Sequence, residues 1–262
     1  KVLPGLFLGG QINGTSGYEE AAGQGWLAGV NAALYVQGKE PLMLRRDQAY
    51  IGVMVDDLIT KEHTEPYRLF TSRAEFRLLL RQDNADLRLA GVGHQLGLLS
   101  QEFHQIVERK REAVARELER LATTIIHPDD AASSLARHGV PITDHPVTAL
   151  QLLRWPQVDY GLIAELCPPA EPLPPEARET VEIEAKYAGY LERQTREVER
   201  FARLERRRIP LSLDYTQVMG LRAEARERLQ AMRPLTIGQA ARLSGVNPAD
   251  VAALLAHMER HA

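Results

Sequence analysis

The stretch Gly9-Gly10-Gln11-Ile12-Asn13-Gly14-Thr15-Ser16-Gly17 constrains this chain more than any other. It follows a short apolar run, Leu6-Phe7-Leu8, and leads into Tyr18-Glu19-Glu20-Ala21-Ala22, where small and apolar residues begin to recur at helical spacing. The glycines therefore fall where a strand is expected to turn into a helix. Glycine adopts positive φ freely and lets a backbone approach a neighbour, and the first amides of a helix point at a bound anion. Ser16 and Glu19 stand at capping-box spacing, which sets the helix start near Gly17.

From Ser16 to about Gln37 the residues Ala22, Trp26, Gly29, Val30, Ala33 and Leu34 repeat at helical spacing, and Gly38 is placed to cap the end. A buried helix packed on the strand of Leu6 to Leu8 is expected, with Gly23, Gly25 and Gly29 admitting another backbone. Pro41 interrupts the pattern, and Tyr50, Ile51, Met54, Val55, Leu58 and Ile59 predict a shorter helix within residues 45–59. Asp56 and Asp57 on that helix point about 100° apart and have no third ligand at a supporting spacing, so they read as a solvated face rather than a metal site.

Residues 61–88 carry Glu65-Pro66-Tyr67-Arg68, Thr71-Ser72-Arg73-Ala74-Glu75-Phe76-Arg77 and Asp83-Asn84-Ala85-Asp86-Leu87-Arg88. Ser72 and Glu75 repeat the capping-box spacing and predict a helix from Arg73. Arg73, Arg77 and Arg81 would then share one face opposite Phe76, Leu79 and Leu80, with Arg68 and Arg88 flanking. Like charges at this spacing repel, so an acidic partner is expected. It is either internal, from Glu75, Asp83 or Asp86, or a phosphate backbone that guanidinium groups bind in planar, bidentate fashion.

Past Gly97 the pattern is helices separated by proline. Phe103, Val107, Val114, Leu118, Leu121 and Ile125 form a stripe on a helix from about Ser100. Residues 168–175, five of which are proline, form an extended connector. Ile183, Tyr187, Tyr190, Leu191, Val198, Phe201 and Leu204 then mark a second long helix, expected to pack on the first in an antiparallel bundle. A compact terminal module follows, with caps at Thr236 and Asn247-Pro248 and a turn at Gly245. It has the outline of a helix-turn-helix. Its last helix, however, offers only Asp250, Ala253, Ala256 and His257 to base edges, which favours a protein contact. Proline 210 and these caps suggest a module separable from the rest.

With 262 residues, 44% of them hydrophobic, the chain can build a large core, and a net charge of -3 says little about partners. The single cysteine, Cys167, excludes an internal disulfide and any multi-cysteine metal site, and reads as inert. No apolar run reaches membrane-spanning length and no signal peptide opens the sequence, so a cytoplasmic location and no membrane partner are expected.

Gly5-Leu6-Phe7-Leu8-Gly9-Gly10-Gln11-Ile12-Asn13-Gly14-Thr15-Ser16-Gly17-Tyr18 resembles a segment of the GidA/MnmG family of tRNA-modifying flavoproteins almost residue for residue. So do the three arginine motifs of residues 65–88 and Ile237-Gly238-Gln239-Ala240-Ala241-Arg242-Leu243-Ser244-Gly245-Val246-Asn247-Pro248. The resemblance implies a mainly α fold: the tail of a glutathione-reductase-like FAD-binding α/β domain in residues 1–90, a helical domain in 91–210, and a terminal module in 211–262 that docks a folate-dependent GTPase partner. It implies that Gln11, with Gly10, Ile12 and Gly17, meets the flavin nucleotide. It also implies that basic residues of the second segment hold tRNA, which carries over to Arg68 and Arg77 most directly. Arg73, Arg81 and Arg88 join them through the expected helix face. No Gly-x-Gly-x-x-Gly fingerprint is present and no catalytic residue is assigned. The expected function is that of the C-terminal part of a homodimeric enzyme that, with FAD, NADH and the GTPase, adds an aminomethyl-type group to C5 of the wobble uridine of tRNA. Two alternatives stay open: a nucleic-acid-binding helical module without cofactor, and a flavin oxidoreductase acting on a small molecule.

Overall fold

The computed structural model describes residues 3–61, 63–141 and 144–260. Among them the chain is mainly helical, as the periodicity predicts. It divides into two compact units: one takes the chain up to Arg77 and again from Thr195, and the other is Leu78–Gln194.

The first unit opens irregularly, makes a 3-10 turn at Gln11–Asn13, and continues as α1 (Tyr18–Val36) and α2 (Tyr50–Thr60), which pack together. The strand expected at Leu6 to Leu8 is not formed. Residues 6–9 have no ladder partner among the described residues, and an extended segment without a neighbour has nothing to satisfy its amides. Helix α1 begins after Gly17 and stops just before Gly38, as expected. The capping box expected from Ser16 and Glu19 is not formed: the N-cap is Gly17, which has no side chain, and Glu20 rather than Glu19 folds back over the first turn. Its burial also differs: only Glu20 and Gln24 are buried, while Tyr18 is 92% and Val36 85% exposed. Gly25 and Gly29 face open space, and the close backbone approach is instead that of Gly9 onto Gly25.

No helix forms over residues 73–81. A 3-10 turn at Thr71–Arg73 is followed by consecutive turns up to Leu79. The reason lies in Arg46, which captures the two groups a helix would need. Its guanidinium takes both Glu75 carboxylate oxygens at 2.7 Å, so Glu75 cannot complete a capping box, and it donates to the Arg73 carbonyl at 3.1 Å. Phe76 and Leu80 are buried as the pattern asked. Burial was legible; the helix was not.

The second unit is built from α3 (Ala85–Gln95), α4 (Gln101–Thr123), α5 (Pro128–Arg137), α6 (Ala149–Leu153), α7 (Tyr160–Leu166) and the first part of α8 (Pro175–Arg206). Strands β1 (Ile125–Ile126) and β2 (Val147–Thr148) form one antiparallel pair. Ser100 caps α4 by accepting from the Phe103 amide at 3.2 Å. Val114 and Leu121 of α4 share a core with Leu135, Leu152, Leu153, Ile163, Ala177 and Val181, so the two long helices do meet a common core. Helix α4 nonetheless packs chiefly on α3 and α6. Cys167 donates to the Ile163 carbonyl, and burial pushes its thiol pKa up, in keeping with an inert side chain.

The terminal helices α9 (Ala223–Met232), α10 (Ile237–Arg242) and α11 (Pro248–Arg260) return to the first unit around Tyr215, Val218, Leu229, Ile237 and Leu254. Thr236 caps α10 by accepting from the Gln239 amide at 3.0 Å. Asn247 and Asp250 cap α11 reciprocally, each accepting the other's amide. Arg242 ties this module to the rest of the first unit, donating from α10 to both Asp56 carboxylate oxygens of α2 at 2.6 Å and to Glu205 of α8 at 2.5 Å.

Candidate functional site

Gln24 organises the glycine-rich loop. Its buried carboxamide accepts from the Gly10 amide at 2.7 Å and from the Thr15 hydroxyl at 3.0 Å, and donates to the Asn13 carbonyl at 3.0 Å. Gly10 and Gly14 both sit at φ 83°, where a side chain would be strained, so the loop closes in a shape only glycine adopts easily. With the Gly10 amide and the Asn13 carbonyl so engaged, the outward groups include the Gln11 side chain, which makes no hydrogen bond among the described residues, and Ile12, which is 77% exposed.

The first turn of α1 does not point at a bound anion. Glu20, 7% exposed, already places a carboxylate there, and that carboxylate accepts the Leu69 amide at 2.9 Å. The hydrogen bonds from Leu69 and from its own amide hold its pKa below the usual carboxylate value against the effect of burial, and Arg68 adds to this. A methyl group on Gly17 would overlap the same carboxylate, so Gly17 is glycine to admit Glu20. The Gly10 amide is likewise spent on Gln24. Of the four residues expected at the cofactor, Gln11 and Ile12 are free to meet one, whereas Gly10 and Gly17 shape the loop. The Gln11 carboxamide is a neutral group able to hydrogen-bond part of a flavin nucleotide.

The second segment runs beside the first. Tyr67 forms a parallel bridge with Thr15, donating its amide to the Gly14 carbonyl at 2.8 Å. Arg68 and Arg77 are exposed, and neither has a hydrogen-bonded or ion-paired partner among the described residues. Arg73 lies over the Tyr67 ring at 4.8 Å and the Phe70 ring at 5.9 Å, and its buried Nε meets no acceptor. Arg81 and Arg88 belong to the other unit and are internally engaged. Arg81 pairs with Asp83 at 2.9 Å and Glu184 at 2.7 Å, and Arg88 donates to Asn84 at 2.9 Å and to the Arg81 carbonyl at 2.9 Å. The five arginines therefore do not form one stripe. A helix was the premise of that stripe, and no helix exists there.

Beneath both segments lies a buried ion network that the sequence reading missed. Arg46 is 4% exposed and reaches Asp56 at 3.1 Å, Asp57 at 2.7 Å and Glu75, as well as the Val53 and Arg73 carbonyls. Asp57 is fully buried and also receives Lys61 at 2.7 Å and the Tyr67 hydroxyl at 3.0 Å. Burial would raise the Asp57 pKa, but the donors Lys61 and Arg46 outweigh it and hold it below the ordinary value. The reading of Asp56 and Asp57 as a solvated face is thus overturned. A partial signal existed for Gln24, which is four residues from Glu20 and so on its face of α1. For Arg46 there was none, because its partners come from positions 53 to 75 of the chain. In the terminal module, Asp250 is engaged by Arg222 and His257 is buried, so α11 offers still less to base edges than its sequence suggested.

Three family descriptions match this sequence: "Glucose inhibited division protein A" over residues 1–40, and "tRNA modifying enzyme MnmG/GidA" as its C-terminal helical domain over 101–195 and its C-terminal helical bundle over 197–262. The chain is 52% identical over 261 residues to the tRNA uridine 5-carboxymethylaminomethyl modification enzyme MnmG of Exiguobacterium sibiricum, covering 99% of this chain and 42% of that protein. It is 55% identical over 262 residues to the MnmG of Roseiflexus castenholzii, covering 98% and 38%. Aquifex aeolicus GidA, in its form II crystal, shares the fold with a TM-score of 0.84 at 43% identity, over 98% of this chain and 41% of that one. The chain spans about two fifths of the length of these relatives. Identity of this order along nearly every residue, on a shared fold, means that the chain belongs to the MnmG/GidA family of tRNA-modifying enzymes, as its C-terminal region.

Proposed function

We propose that this chain is the C-terminal part of a cytoplasmic, homodimeric flavoprotein that installs a (carboxymethyl)aminomethyl group at C5 of the wobble uridine of tRNA. FAD, NADH and a folate-dependent GTPase serve the same reaction. Bound FAD supplies the redox chemistry, and the residues of this chain supply placement and charge. Gln11 and Ile12 take the neutral part of the flavin nucleotide. Arg68 and Arg77 take the tRNA backbone, with Arg73 between them, while Arg81 and Arg88 are assigned to holding their own unit together. The terminal helices dock the GTPase by a protein surface.

The observation that carries this reading is the pairing of Tyr67 with Gly14 and Thr15, which sets the loop bearing Gln11 beside the segment bearing Arg68 and Arg77, two arginines with no hydrogen-bonded or ion-paired partner among the described residues. A nucleic-acid module without cofactor gives no work to an exposed Gln11 and Ile12 on a loop built by Gln24. The test is Arg77→Ala in the full-length enzyme, with tRNA titrated at several salt concentrations. Loss of one phosphate contact should weaken binding and lower the slope of log affinity against log salt by about 0.7 to 0.9. Wild-type affinity and slope together with a lower melting temperature would make Arg77 a structural residue and refute the reading.

A further inference from the structure

We propose that Phe70 is a stacking platform for an unpaired base of the RNA substrate. The inference rests on the reading of residues 66–77 as an RNA-contacting segment and adds to it a neutral, base-directed contact. Phe70 is 53% exposed although its backbone is anchored: the amide of the preceding Leu69 is bonded to Glu20, and the Phe70 carbonyl accepts the Arg73 amide at 3.0 Å. The ring is therefore held out on a fixed backbone.

Its immediate neighbour is cationic. The Arg73 guanidinium stands over the Phe70 ring at 5.9 Å and over the ring of the buried Tyr67 at 4.8 Å, and of the two rings Phe70 is the exposed one. Arg68 and Arg77, on either side of Phe70 in the chain, are exposed and have no hydrogen-bonded or ion-paired partner among the described residues. An aromatic face rimmed by cations is how proteins hold unstacked bases, with the charges tracking the backbone and the ring taking the base. Chemistry on a base edge needs that base, or its neighbour, out of the helical stack, and a platform lowers the cost of keeping it out.

The experiment compares Phe70→Ala and Phe70→Trp in the full-length enzyme, using an anticodon stem-loop as the RNA. Phe70→Ala should weaken binding by about 5- to 150-fold. The salt slope should not change, because no phosphate contact is lost, and the flavin absorbance and melting temperature should stay at wild-type values. Phe70→Trp should bind within about threefold of wild type, since a larger π-face stacks at least as well, and its added fluorescence should be quenched by the RNA. Wild-type affinity in Phe70→Ala would overturn the proposal. So would loss of flavin, which would assign the ring to the cofactor, or a lower melting temperature that tryptophan does not rescue, which would assign it to protein packing. If Arg77→Ala acts on the salt slope and Phe70→Ala does nothing, only the platform falls. If neither acts, the RNA reading of the whole segment falls with it.

Discussion

Replacing Arg46 by methionine should be among the most damaging single changes in the first unit. Methionine keeps most of the side-chain volume, so the loss is that of the guanidinium, which donates to Asp56, Asp57, Glu75 and two backbone carbonyls from a site only 4% exposed. Breaking a buried ion pair by removing one partner costs about 3 to 5 kcal/mol, because the other charge stays behind. Here Lys61 and Tyr67 remain on Asp57, which places the expected loss at the low end, about 3 kcal/mol. At about 2 to 4 °C per kcal/mol for a domain of this size, the melting temperature should fall by roughly 6 to 12 °C. Lysine should not rescue it, since a single ammonium cannot span the same acceptors.

The pH dependence gives a second readout. The Asp57 pKa is lowered in the folded protein, so its contribution is fully present above the unfolded carboxylate value of about 3.9 and is lost as pH falls through the folded value. Without Arg46 the folded value rises, and acid unfolding of this unit should begin at a higher pH. Urea titrations of both proteins between pH 3 and 7 measure both effects. A loss below about 1 kcal/mol, or an unshifted acid limb, would refute the view that this network holds residues 46 to 75 together.

Two further outcomes follow from the same geometry. Gln24→Leu removes three hydrogen bonds from the glycine-rich loop and should cost about 1 to 3 kcal/mol; in the full-length enzyme it should also weaken FAD binding, and an unchanged flavin affinity would detach Gln24 from the cofactor. Asp250, whose pKa is held at about 2 chiefly by Arg222, stabilises the terminal helices above the usual carboxylate value and loses that contribution as pH falls toward 2. Asp250→Asn should therefore destabilise them by about 1 to 3 kcal/mol at pH 7 and hardly at all at pH 2, and equal losses at both would exclude an ionic cause.

What the sequence determined by itself is local. Helices α1, α2, α4, α8, α10 and α11 lie close to where periodicity and caps put them, because those signals act within a few residues along the chain. Thr236 and Asn247 cap as read, and the helix expected from about Ser100 starts there. Family membership and the candidate roles of Gln11, Arg68 and Arg77 came from runs of contiguous residues, which needed no knowledge of what packs where. Tertiary structure decided the rest through contacts between residues far apart in sequence. Arg46 withdrew Glu75 and the Arg73 carbonyl from a helix that spacing alone favoured. Asp56 was turned from a solvent-facing acid into the anchor of Arg242, which lies 186 positions later. The five arginines were divided, three on the first unit and two paired within the second, because a guanidinium's partner is fixed by the fold around it. Periodicity reports which face is apolar; it carries no information about which distant charge will be buried against it.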